Sequence, residues 1–313
     1  MPPTLFYGTA IFGTPTIPSF VEAENVSKFL NEVHSLGITE LDTAARYPPD
    51  NVGASERLLG ATKAGSSFSI NTKVLIAGTT GDGTLTKDAI RASVANSLKT
   101  LGVSKIGILY AHAPDNTTPL EEQAEAFNEQ YEKGHCERIG ISNFPPAMLE
   151  RFLTICEDNN YIKPSIYQGE YNLVRRDAED ALFPLLRRHK IHFVAFSPLG
   201  GGFLTGKFTA GNAEGTRFGG PLGQRHRHVY DRPDFHNTIN ELKRIIEPLG
   251  ISPTGVALRW LAYHSELNEE DGIILGATKI EQLEQNMEDI EQGPLPESII
   301  EAIRAIKGAA AEP

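Results

Sequence analysis

Cysteine is scarce. Cys136 and Cys156 are the only two in 313 residues. They are too few and too scattered for a disulfide framework, and neither sits in a C-x-x-C pair. Both read as packing residues of a protein in a reducing compartment. Positive charge is also short. Lys and Arg number 29 against 40 Asp and Glu, a formal net charge of −11. That argues against nucleic acid or an anionic membrane as partner, because each wants a basic face. An anionic cofactor stays open, since a local cluster of Lys, Arg and backbone N–H groups binds phosphate within an acidic protein. Long apolar runs are missing too, and none approaches a membrane span. The opening MPPTLFYGTAIFG lacks a basic stretch and carries two prolines, which is not the pattern of a signal peptide. The tail GAAAEP carries no recognisable targeting signal. A soluble, cytoplasmic protein is expected.

What is present is a rhythm. Hydrophobic residues make up 40% and charged residues 22%, ordinary for a globular chain. The length fits two ordinary domains or one large barrel. Short β-rich runs alternate with longer amphipathic ones: TLFYG, then VEAENVSKFLNEVHSLG, then ITELD, SFSINTKV, KDAIRASVANSLKTLG and KIGILYAHA. Pro119 to Lys133 reads as a helix, RIGISN as a strand, PPAMLERFLTICEDN as a helix, and SIYQGEYN as a strand. DAEDALFPLLRRH, IHFVAFSPLG, FHNTINELKRIIEPLG, SPTGVALRWLAYHS, GIILGAT and IEQLEQNMEDI continue the series. Eight strand-like runs alternating with helices predict a parallel sheet, and eight closes a (β/α)8 TIM barrel, α/β in class. A doubly wound sheet is the alternative. It would want G-x-G-x-x-G after its first strand, where GTAIFGTPTIPS has the wrong spacing. One barrel domain over residues 1–313 is expected. From Gly200 to Asp234 the chain shows no periodicity and is rich in Gly, Pro, Arg and His. Such a loop after strand seven would lie over the C-terminal face, where barrel active sites sit.

Read together, the strand ends bring chemistry to one rim. Strand two ends in Asp42, with Tyr47 just beyond; strand three ends in Lys73 and strand four in His112. Each has a plain alternative: a helix cap for Asp42, a loop aromatic for Tyr47, a snorkelling Lys73, a structural His112. Together they form a proton-donating group. A free tyrosine titrates near 10, and a nearby ammonium favours the phenolate. A buried lysine needs a carboxylate, which Asp42 would supply. A histidine can orient a carbonyl oxygen beside the phenol.

In LDTAARY, ASERLLG, NTKV, ILYAHAPD, IGISNF, IYQGEYN, AFSPLGGGFLTGK and ILGATKIEQLEQN, in this order, the chain resembles the aldo-keto reductase superfamily over nearly its whole length. YAHAPDNTTPLEEQAEAF and YQGEYNLVRRDAEDALFPLLRRH are most similar to the aflatoxin-aldehyde and succinic-semialdehyde reductase branch. The resemblance implies NADPH-dependent reduction of an aldehyde or ketone on a barrel without a Rossmann fold. It implies a tetrad of Asp42, Tyr47, Lys73 and His112, with Tyr47 as general acid, Lys73 and Asp42 supporting it, and His112 orienting the substrate. Ser142, Asn143 and Gln168 would hold the nicotinamide carboxamide, and Phe196 would stack on the ring, where many members carry tyrosine. The pyrophosphate would lie under the loop of Ser197, Pro198, Leu199 and Gly201 to Lys207, with charge from Lys207 and Arg217. Gly276, Thr278, Gln282, Gln285 and Asn286 would meet the adenosine end, with Lys279 nearby. Many relatives carry arginine where Gln282 stands, which opens the preference for NADPH over NADH. Pro48 and Pro49 stiffen the chain after Tyr47 and would shape the substrate mouth.

Phe12, Arg225 and Arg227 join His112 on the substrate side, the arginines as partners for an anionic substrate group. His226, His228 and Asp231 in QRHRHVYD offer a metal reading; no other ligand set accompanies them, and no metal is expected. A small-molecule carbonyl substrate is the expected partner, and the branch tends to form homodimers. The alternative function is a cofactor-binding regulatory subunit of the potassium-channel beta type with little turnover. The first strand starts within a few residues of Met1, leaving no long inactivating segment, and this favours the enzyme.

Overall fold

Parallel strands covered by helices are buried on both faces and read as continuous apolar runs. β4 (Ile106–Ala111) is buried at every position. It belongs to a closed barrel of β1 (Thr4–Gly8), β2 (Glu40–Asp42), β3 (Ser69–Lys73), β4, β5 (Cys136–Ser142), β6 (Ile166–Glu170), β7 (His192–Phe196) and β8 (Gly272–Leu275). Every neighbouring pair is parallel, and β1 closes on β8. This computed structural model describes residues 1–76, 81–213, 216–219 and 223–310. The fold is the expected (β/α)8 barrel.

The helices are α1 (Ala23–Ser35), α2 (Ala54–Ala61), α3 (Lys87–Leu101), α4 (Leu120–Glu132), α5 (Pro146–Asp158), α6 (Ala178–Arg188), α7 (Gly223–Tyr230), α8 (Pro233–Ile246), α9 (Pro253–Tyr263), α10 (Ile280–Glu291) and α11 (Glu297–Ala310). Local chemistry sets their ends. The Thr86 side chain accepts from the Ala89 N–H to start α3, and Gly102 stops it at φ 67°. Ser252 caps α9 in the same way, accepting from Gly255.

Three findings depart from the sequence reading, one being α11, which buries Ile299, Ile300 and Ile303 where no helix was expected. α2 fills the place between β2 and β3 where no helix was expected. It is short, and its buried face carries Ser55 and Glu56 in place of an apolar stripe. The stretch from Gly200 to Asp234 is not without structure. It holds a 3-10 turn over Gly200–Thr205 and the polar helix α7.

Strand alternation divides the core in two. Inside the barrel lie Phe6, Ile108, Tyr110, Ile166, Val194 and Ile274, with Phe196 packed above. The larger cluster lies between barrel and helices. Cys136 and Cys156 belong to it, and burial pushes both thiols up to about 12. That keeps them protonated at neutral pH and fits packing residues. Among the described residues, no helix is long and apolar enough to cross a membrane.

Candidate active site

The inward residues at the strand ends form one layer at the C-terminal rim. Lys73 is paired with Tyr110 across β3 and β4, and Ser142 with Gln168 across β5 and β6. The Lys73 ammonium is 1% exposed and fully engaged. It donates to both Asp42 carboxylate oxygens at 2.7 and 2.8 Å and to the Thr43 carbonyl at 2.8 Å. A buried ion pair holds only when its remaining hydrogen-bonding capacity is met. Here the Thr43 carbonyl takes the third ammonium proton, and the Gln168 Nε2 donates to Asp42 Oδ1 at 2.7 Å. Asp42 therefore ends a strand as the partner of a buried lysine, not as a helix cap.

Two aromatic rings adjoin the ammonium. Its Nζ lies 5.1 Å from the centroid of Tyr47 and 5.6 Å from that of Tyr110, within cation–π range. Tyr110 fits because Gly140 has no side chain: a Cβ there would come within 2.3 Å of Tyr110 Cδ1. Tyr47 is half-buried, and its ring meets His112 edge-on at 5.5 Å and 87°. The Tyr47–Pro48 peptide is cis. Asn143, at φ 63°, donates from Nδ2 to the His112 carbonyl at 3.1 Å and to Ser142 Oγ at 2.9 Å. Asp42, Tyr47, Lys73, His112, Ser142, Asn143 and Gln168 thus meet in one place.

The loop after β7 is wound through left-handed conformations: Ser197, Gly200, Gly201, Gly202 and Gly206 all have positive φ. At Gly201 a Cβ would come within 2.6 Å of His226 Cδ2, so only glycine lets α7 pack there. The Asn172 side chain donates to the Ser197 carbonyl at 2.9 Å and to Tyr230 Oη at 3.1 Å, tying α7 to the loop. Pro198 is buried, Leu199 half-buried and Lys207 exposed. Arg217 extends to the end of β8, where its Nη2 lies 3.8 Å from a Cβ built at Gly276. Water reaches much of that side chain, while protein crowds the guanidinium. The crowding lowers its pKa, and the nearby Tyr7 and Tyr47 phenols oppose the shift. A cavity of about 540 Å³ adjoins the tetrad without containing it, with Asn143, Phe196 and Ser197 on one wall.

At the start of α10, Gln282 Oε1 accepts from the Thr278 N–H at 3.1 Å and its hydroxyl at 3.2 Å. Gln282 and Gln285 are exposed; Asn286 is buried. One substrate-side expectation changes. Phe12 is fully buried against Tyr7, Phe20 and Phe29, with no surface left for a substrate. Arg227 braces its own loop: Nε donates to the Phe218 carbonyl at 3.1 Å, and the guanidinium lies 5.6 Å from the Phe208 ring centroid. The Arg225 side chain lies outside the described residues. His226 packs on Phe218, and His236 pairs with Asp231 at 3.0 Å. Among the described residues, no three His, Cys, Asp or Glu side chains are grouped to hold a metal ion.

Comparison with known proteins bears on the same site. The sequence profile of the aldo/keto reductase family matches residues 4–307. The chain belongs to the aldo/keto reductase family. It is 36% identical to an oxidoreductase, sirO, of Leptosphaeria maculans, over 95% of this chain and 92% of that one. It is 32% identical to aflatoxin B1 aldehyde reductase member 2 of Homo sapiens, over 94% and 84% of the two chains. With aldo-keto reductase pigE of Monascus ruber it shares 29% over 95% and 91%. This aldo-keto reductase is therefore an oxidoreductase of a family that reduces carbonyls with nicotinamide cofactors.

Sequence reasoning missed four residues beneath the tetrad. Tyr110 floors the lysine. Thr9, Thr43 and Ser55 form a buried hydroxyl cluster beside it. Thr43 and Ser55 lie inside the quoted motifs LDTAARY and ASERLLG, yet their spacing carries no sign that they touch.

Proposed function

We propose that the protein reduces an aldehyde or ketone to the alcohol with NADPH, Tyr47 acting as general acid. The observation that carries this reading is the buried Lys73–Asp42 pair with the ammonium 5.1 Å from the Tyr47 ring. The reduced nicotinamide, when bound, supplies the hydride. Tyr47 gives its phenolic proton to the carbonyl oxygen and later regains one from water. Lys73 stabilises the phenolate left behind, because a cation beside the ring favours the charged form. Asp42 keeps the lysine in place, and His112 orients the carbonyl.

The residues suit such a cofactor. Gln168 uses its N–H₂ on Asp42, which leaves its carbonyl oxygen to accept from a carboxamide. It would couple the cofactor's seat to the tetrad. Ser142 and Asn143 adjoin it, and Phe196 offers a phenyl face for stacking. The positive-φ loop from Ser197 to Gly206 brings backbone close to a pyrophosphate, with Lys207 and Arg217 as cations. Thr278 and the N-terminal turn of α10 suit the 2′-phosphate.

Oxidation of NADPH and of NADH, followed with a substituted benzaldehyde, succinic semialdehyde and a quinone, tests the reading. Turnover of at least one carbonyl with NADPH ahead of NADH is expected. Tight NADPH binding without turnover across the panel would instead indicate a cofactor-sensing subunit.

A further inference from the structure

Between the tetrad and α2 lies a closed set of hydroxyls. Ser55 has no exposed surface. Its Oγ lies 2.9 Å from Thr9 Oγ1, 2.9 Å from Thr43 Oγ1 and 3.0 Å from the Thr9 carbonyl. Thr9 Oγ1 reaches the Asp42 carbonyl at 3.1 Å. One proton arrangement satisfies three of these four contacts and leaves the Thr9 and Ser55 hydroxyl oxygens side by side. Thr9 donates to the Asp42 carbonyl, Thr43 donates to Ser55, and Ser55 donates to the Thr9 carbonyl. The Ser55 backbone N–H meanwhile donates to the Tyr47 carbonyl at 3.0 Å. Ser55 thus touches the backbone of the phenol-bearing residue on one side. On the other it touches Thr43, whose carbonyl receives the Lys73 ammonium.

We infer that Ser55 is a positioning residue, which fixes Tyr47 relative to Lys73 by fastening the Tyr47 loop to the ends of β1 and β2. The inference rests on the reading of Tyr47 as general acid. Tyr47 lies in a loop and Lys73 on a strand, so their spacing depends on whatever joins the two elements. The loop meets β3 through the Ala45 N–H, which donates to the Lys73 carbonyl at 3.1 Å, and beyond Tyr47 it runs through exposed Pro49, Asp50, Asn51 and Val52. Ser55 is the first residue after them that is fully buried and bonded to the barrel. Its hydroxyl is small enough for the space among two threonines, and it meets both a donor and an acceptor there. Alanine would keep the shape and remove the joint.

The test compares Ser55→Ala and Thr43→Val with wild type and Tyr47→Phe. Thr43→Val is nearly isosteric and removes only the hydroxyl that meets Ser55. For a folded Ser55→Ala enzyme, kcat should fall about ten- to one hundred-fold, the scale of a small misplacement at a reacting group. NADPH affinity should stay within about two-fold, since no cofactor contact is lost. The alkaline limb of the kcat/KM pH profile should move to higher pH, because a phenol less well placed beside its ammonium holds its proton longer. Thr43→Val should move kcat and the limb in the same directions by less, and it carries the test if Ser55→Ala does not fold. A purely structural role would lower the melting temperature and leave the pH profile alone; that result overturns the inference. If Tyr47→Phe is inactive while both hydroxyl variants keep wild-type kcat and pH profile, only the positioning role fails. If Tyr47→Phe is as active as wild type, the reading of Tyr47 fails and this inference with it.

Discussion

Lys73 points its ammonium between the Asp42 carboxylate, at 2.7 Å, and the face of the Tyr47 ring, 5.1 Å from its centroid. Both charged groups are nearly inaccessible, at 1% and 7% of their side-chain surface. This arrangement ties stability to chemistry. Removing the cation leaves a carboxylate buried with Gln168 alone, which costs about 3–5 kcal/mol. Lys73→Met should therefore melt well below wild type and lose most of its turnover. The double variant Asp42→Asn, Lys73→Met should recover part of the melting temperature and none of the activity. Thermal unfolding of the three proteins side by side checks this. Equal melting temperatures for Lys73→Met and wild type would contradict it.

Glu56 on α2 is 1% exposed and among the described residues has only hydroxyl partners, Thr72 Oγ1 at 2.6 Å and Ser97 Oγ at 3.2 Å. Burial raises its pKa, and the two hydroxyl hydrogen bonds offset only part of that. The folded state thus holds this proton more tightly than the unfolded chain does. The sign follows: Glu56 favours folding below its unfolded value, about 4.3, and that contribution is lost as pH rises through the folded value. Glu56→Gln keeps the shape without the charge. It should raise the melting temperature at pH 8 and change it little at pH 4.5. A melting temperature that drops equally at both pH values would contradict this.

Gly140 makes room for Tyr110 under the lysine. A methyl group would sit 2.3 and 2.4 Å from the ring carbons Cδ1 and Cε1. Gly140→Ala must displace the ring or the strand, an overpacking cost of about 1–3 kcal/mol. Loss of stability together with a lowered kcat is expected, since the displaced ring lies 5.6 Å from the Lys73 ammonium. Calorimetry and steady-state rates on the same preparation check it. Unaltered kcat would show that the floor of the tetrad does not affect its geometry.

The eight strands were legible because a parallel barrel buries both strand faces, so IGILYA and GIIL stand out as apolar runs. Most helices with a clear apolar stripe were equally plain, and Gly102 marked the end of α3; α11, with Ile299, Ile300 and Ile303 buried, was passed over. α2 and α7 were not legible, because each breaks the pattern for a physical reason. α2 hides Ser55 and Glu56 in the core, and α7, GQRHRHVY, has hardly any apolar face. The convergence of Asp42, Lys73 and His112 was legible because they stand at or just past the ends of the successive strands β2, β3 and β4, with Tyr47 in the loop after β2. Phe12 was not, since an apolar residue after a strand looks the same whether it lines a mouth or fills an aromatic cluster. The Thr9–Thr43–Ser55 contact joins three segments that no periodicity connects.

Gln282 bears on cofactor choice. Its Oε1 accepts from both the backbone and the hydroxyl of Thr278, and its side chain is exposed at the start of α10. Gln282→Arg would place a forked cation where a 2′-phosphate is proposed. It should raise the ratio of kcat/KM for NADPH over NADH by about ten-fold, the scale of one charge-assisted pair. Initial rates with both cofactors at a single carbonyl concentration series measure the ratio. An unchanged ratio would move the 2′-phosphate away from this turn.

The central claim is that Tyr47 supplies the proton. Its most direct test is carbonyl reduction by Tyr47→Phe beside wild type, with NADPH binding to each followed by fluorescence. Loss of a general acid predicts a fall in kcat of about two to four powers of ten, with NADPH still bound at wild-type affinity. A mutant that binds NADPH and reduces aldehydes as fast as wild type would contradict the account.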